Sequence, residues 1–172
     1  MLSSANISIF LPGGWILHKS PLKNILEHVT RTLSKFSVRM LQGLQIYLMV
    51  FLGGALGSVA RYALSVWVAG KWGNAFPWGT FAVNALGCLF IGWFYGITSS
   101  NGSFIVSPTV RAFVMIGICG GFTTMSSFTL QTMLLALDGQ MRWALMNIGL
   151  SLAVCLVFTW LGMVISHWPK FR

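Results

Sequence analysis

The chain has 172 residues, of which 56% are hydrophobic and only 8% are charged. A soluble domain of this length needs many more charges, so the composition excludes that class and indicates an integral membrane protein. Eleven Lys and Arg against two acids, Glu27 and Asp138, give a net charge of +9. Because the cations flank apolar runs and form no basic patch, the expected anionic partner is the lipid headgroup and not nucleic acid.

Residues 1–39 form a basic N-terminal extension that holds five of the eleven cations. Arg31, Lys35 and Arg39 lie at helical i, i+4, i+8 spacing, which is typical of a basic helix on a membrane surface or of a targeting segment. Met40 begins "MLQGLQIYLMVFLGG", a natural start for a first membrane helix. We favour a loose extension or a misassigned start at 1–39, followed by a four-helix membrane domain at 40–172.

The rest of the chain predicts an all-α fold with membrane-spanning helices, since about 20 apolar residues cross the hydrocarbon layer. The predicted spans are residues 45–69, 77–98, 109–136 and 143–166. Tryptophans near their ends fit an interfacial belt, at Trp72, Trp78, Trp143 and Trp168. The three cysteines, Cys88, Cys119 and Cys155, lie within apolar segments and are interpreted as small hydrophobic filler.

The cations from Met40 onward divide evenly between the two sides of the membrane. One side receives Arg111, Lys170 and Arg172, and the other receives Lys71, Arg142 and Arg61. Since orientation follows the Lys/Arg imbalance, this balance predicts dual topology and an antiparallel homodimer. The cations of the extension oppose that prediction, and a start at Met40 would reconcile the two. Four helices are also too few to enclose a pore, which again favours an oligomer.

The first helix carries small residues on one face. Gly53, Gly54, Gly57 and Ser58 stand in "LGGALGSVARY" at spacings that let two helix backbones approach closely. The partner of this face is either a second subunit or another helix of the same chain, and the pattern leaves both open.

Polar residues recur inside the second and fourth spans, where lipid makes them costly and an aqueous path or a bundle interior explains them. In the second span they are Thr80 and Asn84, followed by Gly87 and Cys88. The Asn84 amide can donate two hydrogen bonds, as a pathway group or as a clasp between helices. In the fourth span Asn147, Ser151 and Cys155 form a mildly polar stripe.

The third span contains "CGGFTTMSSFT", residues 119–129. Gly120-Gly121 followed by Thr123-Thr124 predicts a break, because Gly and Thr both disfavour continuous helix. Freed backbone carbonyls could hold a cation such as Na⁺. The hydroxyls of Ser126, Ser127 and Thr129 could instead donate toward an anion, and the ring edges of Phe122 and Phe128 carry partial positive charge.

The spans hold no Asp or Glu. Apart from Arg111 at the start of the third span, their one charge is Arg61, expected to snorkel to an interface or to attract an anion to a vestibule. No base lies near any Ser or Cys, so an enzyme is not expected. These observations predict a passive anion pathway lined by uncharged donors. Two alternatives are a small cation or drug exporter, which would need a carboxylate in a span, and a membrane scaffold that does not transport.

From Met40 to the C-terminal end the sequence resembles the Fluc/CrcB family of bacterial fluoride channels. The resemblance rests on "GGALGSVARY" (53–62), "GTFAVNALGCLFIG" (79–92) and "GICGGFTTMSSFT" (117–129), in that order on three successive helices. It implies a fluoride-selective channel in the bacterial inner membrane, built as an antiparallel dual-topology homodimer that exports fluoride passively. Fluoride and a second copy of the chain are then its partners.

The resemblance also implies residue roles. The family's pore Asn corresponds to Asn84, with Thr80 one turn earlier, and its conserved Arg corresponds to Arg61. A structural Na⁺ between subunits would be bound by the backbone carbonyls of Gly120 and Thr123. Ser127 and Ser151 are expected along the polar part of the fluoride pathway.

One departure from the family pattern concerns its two ring edges. The family reads "TTFSTF", whereas this chain reads "TTMSSF": the second ring is kept as Phe128, and Met125 replaces the first. A methionine fills similar volume but offers no comparable positive edge. We therefore expect fluoride conduction to depend on Phe128 and the hydroxyl groups.

Overall fold

The computed structural model describes the backbone of residues 20–99, 102 and 104–167, and the side chains of residues 25–99, 102 and 104–166. Within these residues the fold is all-helical and contains no strand. The helices are α1 (Ser20–Trp72), α2 (Trp78–Thr98), α3 (Pro108–Arg111), α4 (Gly120–Phe122), α5 (Met125–Leu137) and α6 (Met141–His167). A π-helical segment, Ala112–Cys119, joins α3 to α4. The predictions for residues 1–19, Trp168, Lys170 and Arg172 lie outside the described residues.

Among the described residues, four stretches are long and apolar enough to cross a membrane: Ile25–Trp72, Trp78–Thr98, Pro108–Leu137 and Met141–Ser166. Each exceeds the roughly 20 helical residues that a bilayer requires. The protein is therefore a multi-pass membrane protein. The second and fourth stretches lie within two residues of the predicted spans at both ends.

Helix α1 begins at Ser20, far before the start predicted at residue 45. Ser20 followed by Pro21 is a sequence typical of a helix start, which the hydropathy pattern alone does not reveal. In this early part of α1, the hydroxyls of Thr30 and Thr32 each donate a hydrogen bond to the carbonyl four residues earlier, at 2.8 Å. These polar side chains therefore bond to the helix itself. The chain separates into two units, residues 1–42 and 43–172, and α1 contributes residues to each.

Two glycines with positive φ form the turns that follow α1 and α5. Gly73 has a φ of 73° and Gly139 a φ of 75°, values that residues with a Cβ rarely adopt. The Gly73 amide donates to the Ala69 carbonyl at 2.9 Å, which closes the last turn of α1. The helix at Pro108 begins differently: the Ser107 side chain accepts a hydrogen bond from the Val110 amide.

The small residues of α1 pack against the segment from Phe113 to Phe122. A Cβ added at Gly53 would meet the Phe113 carbonyl oxygen at 2.5 Å, and one added at Gly57 would collide with the Ile118 carbonyl oxygen. Ser58 Oγ donates to the Gly121 carbonyl at 3.4 Å in the same contact. Of the two alternatives left open by the sequence, the structure therefore gives this face a partner within the same chain.

Helices α2 and α6 run parallel and touch backbone to backbone. A Cβ added at Gly92 would collide with the Thr159 carbonyl oxygen, and one at Gly162 would collide with the Leu89 carbonyl oxygen. At the start of α2, Phe76 is 2% exposed, and its ring centroid lies 4.6 Å from that of Trp78 and 5.8 Å from that of Trp143. Two of the tryptophans predicted to mark helix ends therefore meet around one buried ring.

Candidate functional site

Helical backbone is interrupted between Phe122 and Met125. Thr123 has φ −79° and ψ 157°, and Thr124 has φ −149° and ψ 111°, so both residues are extended. The first turn of α5 then starts at Met125. Backbone groups at such a point need partners from other elements, because lipid offers none.

Asn84 of α2 supplies two of those partners. The Thr124 amide donates to Asn84 Oδ1 at 2.7 Å, and Asn84 Nδ2 donates to the Thr124 carbonyl at 3.1 Å. The side-chain amide therefore pairs with the backbone of Thr124 in both directions, as a neighbouring strand would. Asn84 is fixed in orientation by this pairing, and one of its two N–H hydrogens remains for another acceptor.

The Thr124 hydroxyl caps α5. Its Oγ1 accepts from the Ser127 amide at 3.2 Å and donates to Ser127 Oγ at 3.0 Å. Sequence reasoning gave Thr124 no role of its own. The signal was present, since a Thr directly before a new apolar helix is a preferred N-cap.

The carbonyls of Gly120 and Thr123 both lose the amide that a continuous helix would give them. The donor four residues after Gly120 is Thr124, which bonds to Asn84 instead, and the donor four residues after Thr123 is Ser127, which bonds to Thr124 Oγ1. Arg61 Nη1 lies 3.5 Å from the Thr123 oxygen, a long hydrogen bond that leaves one lone pair of this carbonyl for another partner. Hard cations such as Na⁺ bind backbone carbonyl oxygens of this kind, and the sodium site at Gly120 and Thr123 stays a prediction.

A cavity of about 340 Å³ lies beside this interruption. Of the residues predicted for the site, it is lined by Asn84, Gly120, Thr123, Met125, Phe128 and Ser151. Phe128 is 7% exposed and Ser151 is 5% exposed, whereas Met125 is 65% exposed. Helices α2, α5 and α6, together with the segment before Thr123, thus bring most of the predicted site residues to one place.

Three predicted site residues lie elsewhere. Thr80 is buried and lines a different cavity of about 470 Å³, at the end of α2 that follows the Gly73 turn. Ser127 bonds to Thr124 and does not line the cavity beside Asn84. Arg61 is half-buried and reaches this region only through the Thr123 carbonyl.

A second buried network connects α5 to α6. Asn147, which is 1% exposed, donates through Nδ2 to Thr132 Oγ1 at 2.8 Å and accepts from Ser151 Oγ at 3.2 Å. Thr132 in turn donates to the Phe128 carbonyl at 2.7 Å. Hydrogen bonds therefore connect Ser151, at the cavity, to the backbone of Phe128. Sequence reasoning identified the stripe on α6 and missed Thr132, because an isolated Thr in a helix usually bonds only to its own backbone.

Comparison with known proteins relates this geometry to a family. Residues 48–163 match the family described as "CrcB-like protein, Camphor Resistance (CrcB)". The chain belongs to the CrcB family. The match contains every residue predicted for the site and all of the cavity beside Asn84.

Individual members of the family are similar over nearly their whole length. The chain is 49% identical over 118 residues to a protein of Rhodospirillum rubrum, covering 69% of this chain and 92% of the relative. It is 51% identical over 119 residues to a protein of Opitutus terrae, covering 69% and 90%, and 48% identical over 120 residues to one of Methylocella silvestris, covering 70% and 92%. Each of these relatives is named "Fluoride-specific ion channel FluC".

Proposed function

We propose that this protein is a fluoride-selective ion channel through which cytoplasmic fluoride leaves the cell passively. The observation that carries the proposal is the sequence identity of 48–51% to proteins named as fluoride channels, over at least 90% of each relative's length. The family match at residues 48–163 contains the cavity and its hydrogen-bonding groups, so it concerns the functional part of the chain and not only the apolar helices.

The chemistry of the cavity supports an anion. Fluoride is small and strongly hydrated, so a pathway must replace lost water with close donors. The second N–H of Asn84 is one such donor, and its direction is set by the pairing with Thr124. The Phe128 ring can present a positive edge at the same cavity. Neutral donors stabilise an anion without the tight binding that a buried cation would cause, which suits conduction.

The hydroxyl groups near the cavity act in two ways. Ser151 donates to Asn147 Oδ1 at 3.2 Å, so rotation of its hydroxyl would exchange this acceptor for an anion in the cavity. Ser127 accepts from Thr124 and keeps its own hydrogen for a further acceptor. Thr80 would serve at a different depth, since it lines the other cavity. Arg61 is the cation that would attract the anion toward the interrupted helix.

The working channel in this proposal is an antiparallel homodimer in the bacterial inner membrane, with Pro108–Leu137 crossing as one interrupted span. Gly120 supports this assembly, because it is exposed and an added Cβ would meet only the Met115 carbonyl oxygen, at 4.0 Å. Met125 is also exposed although it lines the cavity. A second copy against these residues would convert an open cavity into a closed pathway.

A structural Na⁺ fits the same assembly. The carbonyls of Gly120 and Thr123 would hold it, and their counterparts in the second copy would complete the oxygen shell. The ion would fix the interrupted backbone and join the two copies. The bound Na⁺ would supply a positive charge and would hold the carbonyl oxygens in place.

The test is fluoride efflux from liposomes that contain the purified protein. Vesicles loaded with potassium fluoride and made permeable to potassium should release fluoride rapidly, whereas protein-free vesicles should retain it. Vesicles loaded with chloride should retain their anion in both cases. Retention of fluoride by vesicles that hold correctly assembled protein would favour a scaffold, and proton-coupled release of a cationic drug would favour an exporter.

A further inference from the structure

Five sulfur atoms surround the cavity beside Asn84. They belong to every cysteine of the chain, Cys88, Cys119 and Cys155, and to Met115 and Met125. The cysteines come from three different segments: α2, the end of the π-helical segment and α6. Small hydrophobic filler does not explain why all three thiols face one cavity.

Two of the thiols are neighbours across the contact between α2 and α6. Cys88 and Cys155 line the same cavity, and both are half-buried. Their proximity follows from the packing of α2 on α6, because Gly92 touches Thr159 and the helices run parallel. One turn earlier on each helix are Cys88 and Cys155, which this packing holds together.

We propose that Cys88 and Cys155 form a binding site for a soft monovalent metal cation such as Cu⁺ or Ag⁺. Thiolate and thioether sulfur are the ligands that select such ions over hard cations. No three His, Cys, Asp or Glu side chains converge to hold a metal in the described part of the chain, but two sulfur ligands suffice for a soft monovalent ion. The thioethers of Met115 and Met125 stand at the same cavity as further ligands.

Charge balance suits a site within the membrane. On binding, one of the two thiols loses its proton to solvent and the other remains protonated. One thiolate and one monovalent cation are together neutral, so the complex avoids the cost of a net charge in a low-dielectric setting. A divalent ion would leave a net positive charge, which disfavours it at the same place.

An occupied site would obstruct the cavity that Asn84 and Phe128 also line. The block of fluoride release rests on the proposed function, whereas the binding of the metal does not. Met125, which departs from the family pattern, is one of the two thioether ligands. A phenylalanine at this position could not bind the metal.

The experiment measures silver binding to the purified full-length protein in detergent. Silver nitrate is titrated in chloride-free buffer, because chloride precipitates silver, and bound silver per chain is determined calorimetrically and by elemental analysis after gel filtration. One silver per chain is expected. Changes to outer-shell partners already weaken metal sites about 10–100-fold, so Cys88→Ser and Cys155→Ser should each weaken binding by at least about 100-fold.

A matched control comes from the same chain. Met133→Leu removes an exposed thioether outside the cavity, and this protein should retain one silver per chain. Cys88→Ala and Cys155→Ala, with gel-filtration profiles, separate ligand loss from misfolding. Absence of stoichiometric silver, or equal binding by wild type and the Cys88→Ser and Cys155→Ser proteins, would overturn the proposal.

A flux measurement then tests the block. The ratio of fluoride release with and without silver nitrate should fall at least about tenfold for the wild type and stay near one for Cys155→Ser, as expected when a metal ligand is removed. A protein that binds silver but releases no fluoride under any condition would refute the proposed function and leave the metal site intact. Fluoride release that continues unchanged with silver bound would refute the block.

Discussion

Asn84 and Thr124 are joined by two hydrogen bonds, one donated by each residue, at 2.7 Å and 3.1 Å. This pairing replaces the helical bonds that Thr124 would otherwise make, and it fixes the Asn84 amide at the edge of the cavity. The same side chain therefore holds the interrupted backbone and presents a donor. Asn84 can therefore serve both as a clasp between helices and as a pathway group, which the sequence left as alternatives.

Asn84→Asp tests the pathway role of this residue. The carboxylate keeps an acceptor for the Thr124 amide, but it loses the donor to the Thr124 carbonyl and adds a negative charge where an anion must pass. Fluoride efflux should fall at least about 100-fold, since a buried like charge costs several kcal/mol. The protein should still elute as a single gel-filtration species. Gln140→Glu, the same amide-to-carboxylate change in the exposed turn after α5, should leave efflux within about twofold, as expected of a screened surface charge.

Thr124→Val tests the cap of α5. Valine keeps the shape but removes the oxygen that accepts from the Ser127 amide, so the free energy of unfolding should fall by about 1 kcal/mol. Thr124→Ser should restore most of it. Thr129→Val is the matched control, because the exposed Thr129 hydroxyl bonds only to carbonyls of its own helix. Thermal unfolding followed by gel filtration measures all three, and an equal loss for Thr129→Val would contradict the cap.

Gly57→Ala tests the packing of α1. The added methyl group would meet the Ile118 carbonyl oxygen and the Phe122 amide nitrogen, which are backbone atoms that cannot rotate away. Overpacking of this kind should cost about 1–3 kcal/mol, seen as a lower yield of monodisperse protein. Gly70→Ala, also in α1, has nothing within 4 Å of the new Cβ and should match or exceed the wild type. Equal behaviour of the two variants would show that this contact is not made.

Gly120→Leu tests the proposed dimer. Within one chain the new Cβ atom has space, since it would meet only the Met115 carbonyl at 4.0 Å. A second copy against Gly120 would exclude it, so the variant should elute as a monomer and lose efflux. Gly120→Ala should give a smaller shift in the same direction. A dimeric and fully active Gly120→Leu protein would contradict an interface at this residue.

Hydropathy predicted α2 and α6 within two residues because membrane length restricts both ends of a span. It did not predict the start of α1 at Ser20, since helix propensity and backbone bonds from hydroxyls continue beyond the apolar stretch. The π-helical segment Ala112–Cys119 carries no recognisable sequence pattern. Its bonding geometry depends on how neighbouring helices pack, and a single sequence does not specify that.

The sequence predicted some residues of the candidate site and missed others, for a physical reason. Asn84 stands out because an amide is costly in lipid, and the glycines before Thr123 indicate weak helix. Thr124 and Thr132 are harder to identify, because a threonine in an apolar helix usually bonds to its own backbone. Thr80 is only one turn from Asn84, yet it lines another cavity. Spacing along a helix predicts a shared face but not the depth at which a cavity ends.

Phe128 and Met125 should contribute unequally to conduction. Both line the cavity, but Phe128 is 7% exposed and held by the helix that Thr124 caps, whereas Met125 is 65% exposed. Only the phenyl ring has an edge with partial positive charge, which stabilises an anion that has lost water. Phe128→Leu should therefore reduce fluoride efflux by up to about tenfold, since aromatic contacts contribute about 0.5–1.5 kcal/mol.

Met125→Phe restores the ring that the family pattern has at this position and should change efflux by less than about threefold, because its flexible side chain fills a similar volume. Liposome efflux of both variants, compared at equal amounts of monodisperse protein, measures the difference. Met125→Leu controls for the loss of the thioether without adding a ring. Equal losses in Phe128→Leu and Met125→Phe would mean that shape, and not the electrostatics of the ring edge, governs passage through this cavity.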